Sequence, residues 1–297
     1  MNIIIGSRGS KLALKQTEYV RDMLQNTYPM HTYEIKIIHT MGDRNQNMPL
    51  DQMDAKGIFV NEIENELLHH TIDLAVHSLK DMPSTMSDGL TYAKTLKPSD
   101  YRDCLVLKNN QRLADLPLGS IIATGSKRRK YQLLKMRPDL QIVGIRGNVN
   151  TRIEKMQNQN IDGLVLASAG LKRLGLTHMI SEYLSEDEMI PACGQGILAL
   201  QVCQDSPLLE MFDHIGDDEA QLRLELECLY LATVNGGCHI PVGSYAKIED
   251  QSVHFYALLG DEEGQHLVKT DAVFALDEAK QKVIEIANQL KEQVYER

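Results

Sequence analysis

Four clusters of cationic and small hydroxylic residues carry the chemistry of this sequence: Ser7-Arg8-Gly9-Ser10, His77-Ser78-Leu79-Lys80-Asp81, Thr124-Gly125-Ser126-Lys127-Arg128-Arg129, and Arg146-Gly147-Asn148 with Arg152 beyond. Each follows a stretch that reads as a β-strand, and three of them open a stretch that reads as a helix. In open α/β sheets ligands sit at the carboxyl ends of strands. The unpaired N–H groups and dipole of a helix N-terminus favour anions there. Ser, Thr and Gly let an anion approach closely, and Arg adds two-pronged recognition. One such loop is ordinarily a solvated turn; four at equivalent positions point to a ligand with several negative charges. The sequence has no G-x-x-x-x-G-K-[ST] and no convincing G-x-G-x-x-G, which disfavours nucleotide phosphates. Several carboxylates on one ligand fit as well.

Two further residues invite chemical readings. Cys238 sits in Gly236-Gly237-Cys238-His239-Ile240-Pro241-Val242-Gly243, where glycines give a turning backbone and an accessible thiol. A loop cysteine is more often bland than reactive, and sequence neighbours such as Cys238 and His239 seldom point the same way, so a metal or a Cys–His pair is disfavoured. Asp81 follows Lys80 directly. A carboxylate among cations ordinarily balances charge; the sharper reading is a carboxylate facing a reacting cationic centre. Composition leaves both open.

The elements that must position these residues alternate. Strand-like and helix-like stretches succeed one another over residues 3–6, 12–24, 35–39, 59–68 and 73–77. They do so again over 120–124, 129–136, 141–145, 151–157 and 164–167, so two similar α/β domains are expected. Past residue 217 a helical stretch (220–230), the Cys238 loop, strands at 253–259 and 266–274 and a helix from an Asp277 cap to Tyr295 read as a small α+β domain. Lys97-Pro98-Ser99-Asp100 and Glu188-Met189-Ile190-Pro191 are candidate crossings between domains. At 297 residues and 43% apolar composition, two or three domains with sizeable cores are expected. The net charge of -10 is uneven: residues 217–297 hold 16 of the 41 acidic residues but only 7 of the 31 basic ones. An acidic chain is a poor general nucleic-acid binder. The five scattered cysteines form no C-x-x-C pair, which suits a reducing compartment. The N-terminus reads as a strand rather than a signal peptide. No apolar run approaches the ~20 residues of a membrane span, and a cytoplasmic location is expected.

Eight stretches, in order and nearly end to end, resemble the porphobilinogen deaminase (hydroxymethylbilane synthase) family. They are Gly6-Ser7-Arg8-Gly9-Ser10-Lys11-Leu12-Ala13-Leu14, Lys56-Gly57-Ile58-Phe59-Val60, His77-Ser78-Leu79-Lys80-Asp81-Met82-Pro83, Gly125-Ser126-Lys127-Arg128-Arg129, Arg146-Gly147-Asn148-Val149-Asn150-Thr151-Arg152, Ala169-Gly170-Leu171-Lys172-Arg173-Leu174, Pro191-Ala192-Cys193-Gly194-Gln195-Gly196, and the Cys238 loop. The resemblance implies an α/β fold of two periplasmic-binding-protein-like domains with the active cleft between them, and a smaller C-terminal α+β domain. Residues 1–97 with 197–215 would form the first domain, 98–196 the second and 216–297 the third.

The resemblance also implies a transferase that condenses four porphobilinogen molecules head to tail, releasing ammonia each time and freeing linear hydroxymethylbilane. The work is done on a dipyrromethane cofactor joined by a thioether to a loop cysteine, which matches Cys238. The family's catalytic aspartate falls on Asp81. Every pyrrole carries an acetate and a propionate, so the anion-seeking loops acquire a ligand. Lys80, Ser10, Ser126, Arg128, Arg129 and Arg146 are assigned to the cofactor. Arg8, Ser10, Arg146, Arg152, Phe59, Gln195 and Gly196 are assigned to the substrate. Loss of ammonia leaves an electron-poor methylene-pyrrole cation, which Asp81 can stabilise. The chain departs from the family pattern at Gln52 and Asn61, where lysine is familiar, and at Lys127, where an apolar residue is common. These departures put the role of the 48–55 loop in doubt. The competing reading is a non-catalytic clamp that binds a polycarboxylate; a nucleic-acid-binding regulator is disfavoured further by the absence of Trp. Expected partners are the small substrate alone, with no nucleic acid and no membrane, and the acidic C-terminal domain favours a monomer.

Overall fold

The computed structural model describes residues 1–40, 60–83, 86–237 and 240–296. It divides into two compact units, Met1–Ser99 with Gly196–Gln221 and Asp100–Gln195 with Leu222–Arg297.

The first unit holds β1 (Asn2–Arg8), α1 (Lys11–Thr27), β2 (Thr32–Ile38), α2 (Asn61–Leu68), β3 (Leu74–Ser78), β4 (Leu90–Ala93), β10 (Leu198–Cys203) and α6 (Leu208–Ile215). The sheet order is β2-β1-β3-β10-β4. β1 runs parallel to β2 and β3, whereas β10 is antiparallel to β3 and β4. Buried residues of α1 recur as Ala13, Gln16, Thr17, Val20 and Leu24, the spacing of one helical face. That face packs on Ile3, Ile5, Leu74 and Val76, while Ile63 and Leu67 of α2 cover Ile38, Ile72 and Ala75. With helices on both faces the central strands must be apolar on both.

The second unit repeats the plan with β5 (Asp103–Leu107), β6 (Ile121–Ala123), α3 (Lys127–Met136), β7 (Gln141–Val143), α4 (Val149–Asn158), β8 (Gly163–Ala167), α5 (Ser168–Arg173) and β9 (Glu182–Tyr183). The order is β7-β6-β8-β5-β9. β6 is parallel to β7 and β8, and β5 is antiparallel to β8 and β9. In each sheet three parallel strands are therefore followed by one antiparallel strand, which lies in the chain directly beside a boundary between the units. Leu133 of α3 packs with Leu105, Ile122 and Val165; Ile153 and Met156 of α4 pack with Val106, Ala123 and Leu164 on the other face.

The same unit also holds a three-stranded antiparallel sheet, β11 (Val242–Glu249), β12 (Ser252–Gly260) and β13 (Leu267–Ala275). α7 (Asp218–Thr233), which begins at the end of the first unit, and α8 (Ala279–Tyr295) supply Leu226, Tyr230, Val283 and Leu290 to its core around Phe255. The fold expected from the sequence, two similar α/β sheets and a smaller C-terminal α+β part, is the one observed. One local expectation changes. Asp277 does not cap the last helix: it lies in a 3-10 turn (Leu276–Glu278), and α8 begins at Ala279 with no side-chain cap. No helix among the described residues is long and apolar enough to cross a membrane.

Candidate active site

In the first unit the parallel pairing of β1 and β3 puts both C-terminal ends on one edge of the sheet. Arg8 ends β1, and Ser10 caps α1, its hydroxyl accepting from the Ala13 N–H at 3.2 Å. β3 ends at Ser78, whose Oγ accepts from Gln16 Nε2 at 2.8 Å and so ties α1 to the strand end. The chain then turns through Leu79–Asp81 in a single 3-10 turn closed by Met82 N–H on the Leu79 carbonyl. Arg8, Ser10, Gln16, His77, Ser78 and Asp81 line one pocket. Asp81 is exposed and Lys80, its neighbour in the turn, is half-buried. Sequence reasoning placed Arg8, Ser10 and Asp81 at this edge, and the fold brings them together.

Behind the pocket lies a polar chain that the sequence did not reveal. Glu64 of α2 and Gln201 of β10 are both buried; Gln201 Nε2 donates to Glu64 Oε1 at 2.7 Å and Ser87 Oγ to Glu64 Oε2 at 2.5 Å. His77 lies beside them, 7% exposed. Burial pushes its pKa down to about 4; Gln201 acts in the opposite direction and the Arg8 guanidinium adds to the fall. Neither His77 Nε2 nor Gln201 Oε1 finds a hydrogen-bond partner among the described residues.

In the second unit Ser126 caps α3, accepting from the Arg129 N–H, and Asn148 caps α4, accepting from the Thr151 N–H at 3.0 Å. The Ser126 cap places Arg128 and Arg129 in the first turn of α3, where both are buried against Asp103, the first residue of β5. Arg128 Nη1 donates to Asp103 Oδ2 at 2.6 Å and to the Ile190 carbonyl at 2.7 Å. Arg129 reaches Asp103 Oδ1 through Nε at 3.0 Å and Nη2 at 2.7 Å, and the Val165 carbonyl through Nη1 at 3.1 Å. Burial alone would raise the Asp103 pKa, but the two guanidiniums override it and hold the carboxyl well below its ordinary value. Gln195, fully buried, donates from Nε2 to the Tyr101 carbonyl at 2.7 Å and to Asp103 Oδ1 at 3.1 Å. With two acceptors fixing the amide, Gln195 Oε1 is left as an acceptor with no partner among the described residues. Gly196 has φ +93° and begins the returning segment of the first unit.

Arg146 and Arg152 flank the turn into α4. Gly147 has φ +112°, the region that disfavours side chains. Its carbonyl accepts from Arg152 Nε at 2.8 Å, and the Arg146 carbonyl accepts from Lys155 Nζ at 3.0 Å. Both arginines are half-buried. Arg128 and Arg129, expected on a ligand, are thus partly committed to the protein, whereas Arg146 and Arg152 are held through the backbone of their own turn. A buried Arg223–Glu227 pair on α7, at 2.6 Å, was also missed; Glu227 accepts from the Gly194 N–H at 2.5 Å, and Arg223 donates to the Gln195 carbonyl at 2.8 Å. The signal for Asp103 was present: a carboxylate opening an otherwise apolar strand needs a buried cation.

Four of the five cysteines lie among the described residues. Burial pushes Cys104, Cys193 and Cys228 up to about 12 and also raises Cys203. Cys193 also accepts a hydrogen bond from Ser244 Oγ at 3.0 Å. Cys238, Phe59, Gln52 and the 48–55 loop lie outside the described residues; Asn61 is the first residue of α2.

Residues 3–210 match the family described as "Porphobilinogen deaminase, dipyromethane cofactor binding domain", and residues 222–292 match "Porphobilinogen deaminase, C-terminal domain". The chain belongs to the porphobilinogen deaminase family. It is 48% identical over 270 residues to the porphobilinogen deaminase of Clostridioides difficile (strain 630), covering 90% of each chain. It is 45% identical over 292 residues to that of Clostridium novyi (strain NT), covering 97% of each. Among solved structures it is similar to the methionine binding protein MetQ, with a TM-score of 0.46 and 13% identity over 76% of this chain and 94% of that one. The activity is that of porphobilinogen deaminase: condensation of four porphobilinogen molecules to linear hydroxymethylbilane, with loss of ammonia, in tetrapyrrole biosynthesis. The enzyme is a transferase whose cofactor is dipyrromethane, bound covalently through a cysteine. The reading as a non-catalytic clamp is set aside with that assignment.

The residues present suit such a group. Two buried guanidiniums share one buried carboxylate, leaving a surplus positive charge. Among the described residues Arg128 directs only Nη1 to protein acceptors. An anion-ready edge of this kind fits the carboxylates of a pyrrole chain.

Proposed function

We propose that Asp81 is the catalytic carboxylate of this porphobilinogen deaminase and that Cys238 carries its dipyrromethane. The observation that carries the Asp81 assignment is its place: an exposed carboxylate at the end of β3, in one pocket with Arg8, Ser10 and Ser78. A carboxylate fixed there stabilises the positive charge that develops on a pyrrole as ammonia leaves, and takes up the proton lost when the new carbon–carbon bond forms. The cofactor supplies the primer to which each unit is added; the chain's own residues bind, orient and hold charge.

Lys80, Ser10, Ser126, Arg128, Arg129 and Arg146 are assigned to the cofactor carboxylates. Arg8, Ser10, Arg146, Arg152, Phe59, Gln195 and Gly196 are assigned to the substrate. Ser10 and Ser126 accept a backbone N–H as caps, which leaves each hydroxyl proton to donate to a carboxylate. Gln195 offers an acceptor instead, suited to an N–H of a pyrrole. The assignment of Cys238 gains support from the raised pKa values of the other four thiols, because the thiolate is the nucleophile. We read the domains as 1–97 with 197–215, 98–196 and 216–297, each supported by a sheet and core of its own, and the protein as a cytoplasmic monomer.

Asp81→Asn keeps the shape and removes the charge and the proton site. In variants shown by intact mass to carry cofactor, turnover is expected to fall on the order of a hundredfold or more. Asp81→Glu is expected to retain a small residual rate, as strict positioning requires. A cofactor-loaded Asp81→Asn within a few-fold of the parent would move the catalytic role elsewhere.

A further inference from the structure

We propose that Asp103 is a positioning residue for the cofactor: it aims the ligand-facing edge of Arg128 from behind. The proposal rests on the reading above, in which Arg128 meets a cofactor carboxylate, and adds a residue that touches no ligand itself.

Asp103 is fully buried and its carboxylate accepts three hydrogen bonds, from Arg129 Nε and Gln195 Nε2 on Oδ1 and from Arg128 Nη1 on Oδ2, with Arg129 Nη2 in ion-pair contact with Oδ1 at 2.7 Å. Both oxygens are engaged by side chains of the protein, Oδ1 by Arg129 and Gln195 and Oδ2 by Arg128. Its partners cannot turn away without leaving a buried charge unpaired. Arg128 is pinned at one nitrogen, with the Ile190 carbonyl on the same Nη1. A planar guanidinium held at Nη1 has its opposite edge, Nε and Nη2, fixed in direction, and that edge is the geometry a carboxylate accepts. The stem of Arg128 is confined as well. A Cβ on Gly243 would stand 2.9 Å from Arg128 Cδ and 2.5 Å from the Pro191 carbonyl oxygen, so β11 and the 190–191 segment wall it in. Charge points the same way. Two guanidiniums on one carboxylate leave one positive charge, while the neighbouring Arg223–Glu227 pair is internally balanced. Asp103 keeps two like charges together and leaves the surplus for an anion.

The test uses the full chain and reads cofactor content. Asp103→Asn, Asp103→Glu and, as control, Arg128→Gln are purified, checked for folding by circular dichroism and melting temperature, and weighed intact. Folded Asp103→Asn is expected to show a cofactor-loaded fraction reduced about tenfold or more, the factor set by losing a hydrogen bond to a charged group. Asp103→Glu keeps the charge but displaces Arg128 by one methylene; it is expected to fold and to load poorly. A purely structural Asp103 would lower the melting temperature yet leave the folded molecules fully loaded. Full loading of folded Asp103→Asn, or of Asp103→Glu should the Asn variant not fold, beside an unloaded Arg128→Gln, overturns the proposal and leaves the site reading intact. Full loading of Arg128→Gln as well would remove Arg128 from the cofactor, and the proposal with it.

Discussion

His77 and Asp81 stand four residues apart, and the end of β3 treats them in opposite ways: the imidazole is buried while the carboxylate is exposed to the pocket. Burial, with Arg8 beside it, keeps His77 neutral in the folded protein down to about pH 4, whereas the unfolded chain protonates it near 6.5. Across that window the unfolded state binds the extra proton. The stabilising contribution is therefore complete above pH 6.5 and is lost as pH falls to 4, by about 3 kcal/mol at most. His77→Asn is expected to flatten this part of the stability–pH curve, measured by urea unfolding at pH 7 and pH 4.5. An unchanged slope would show that other groups govern it. A neutral His77 also spares Arg8 a like charge next to the pocket. The sequence shows His77 only as part of a motif. Its burial follows from α2 and β10; Gln201 of β10 lies far from it in the chain, and no local pattern signals that meeting. Asp103 carries a local signal, a carboxylate opening an apolar strand, but its partners are hidden for the same reason as those of His77: they lie 25, 26 and 92 residues away.

At the scale of elements, three strand-to-helix junctions repeat one device. A short polar side chain, Ser10, Ser126 or Asn148, caps the helix and leaves a basic residue at or beside the junction. These junctions were legible because capping residues and helical periodicity are local properties of sequence. β5, β10 and β11 were not read. β5 and β10 are short, largely buried runs, which periodicity alone cannot assign. β11 turns into β12 through Asp250-Gln251, with Asp250 at φ +49°, rather than through an Asn-Gly or Asp-Gly signature. The Gly147 turn shows how tightly one junction is built. A Cβ there would lie 2.9 Å from Thr151 Cγ2 at φ +112°. Gly147→Ala is expected to cost on the order of 1–3 kcal/mol and, by shifting Arg146 and the carbonyl that holds Arg152, to raise KM for porphobilinogen several-fold. Thermal melting and steady-state kinetics check both, and a silent Gly147→Ala would mean the turn relaxes without moving the arginines.

For the molecule as a whole, each α/β sheet sets three parallel strands beside one antiparallel strand that borders a chain boundary between the units. Alternation in the sequence was enough to indicate two such sheets, but not which later strand completes the first. β10 joins β3 and β4 only after more than a hundred residues have built the second sheet. This plan leaves the clusters of each unit at strand ends, the two serines as caps and the arginines beside them, while the thiols inside the cores are disarmed by burial. The activity then depends on a covalent pyrrole chain carried by one cysteine, and intact mass reads that directly. The purified parent is expected to exceed its chain mass by two pyrrole units. Cys193→Ser is expected to keep the surplus, and Cys238→Ser to weigh no more than its chain. A surplus that persists in Cys238→Ser, or is missing from an active parent, would contradict this account.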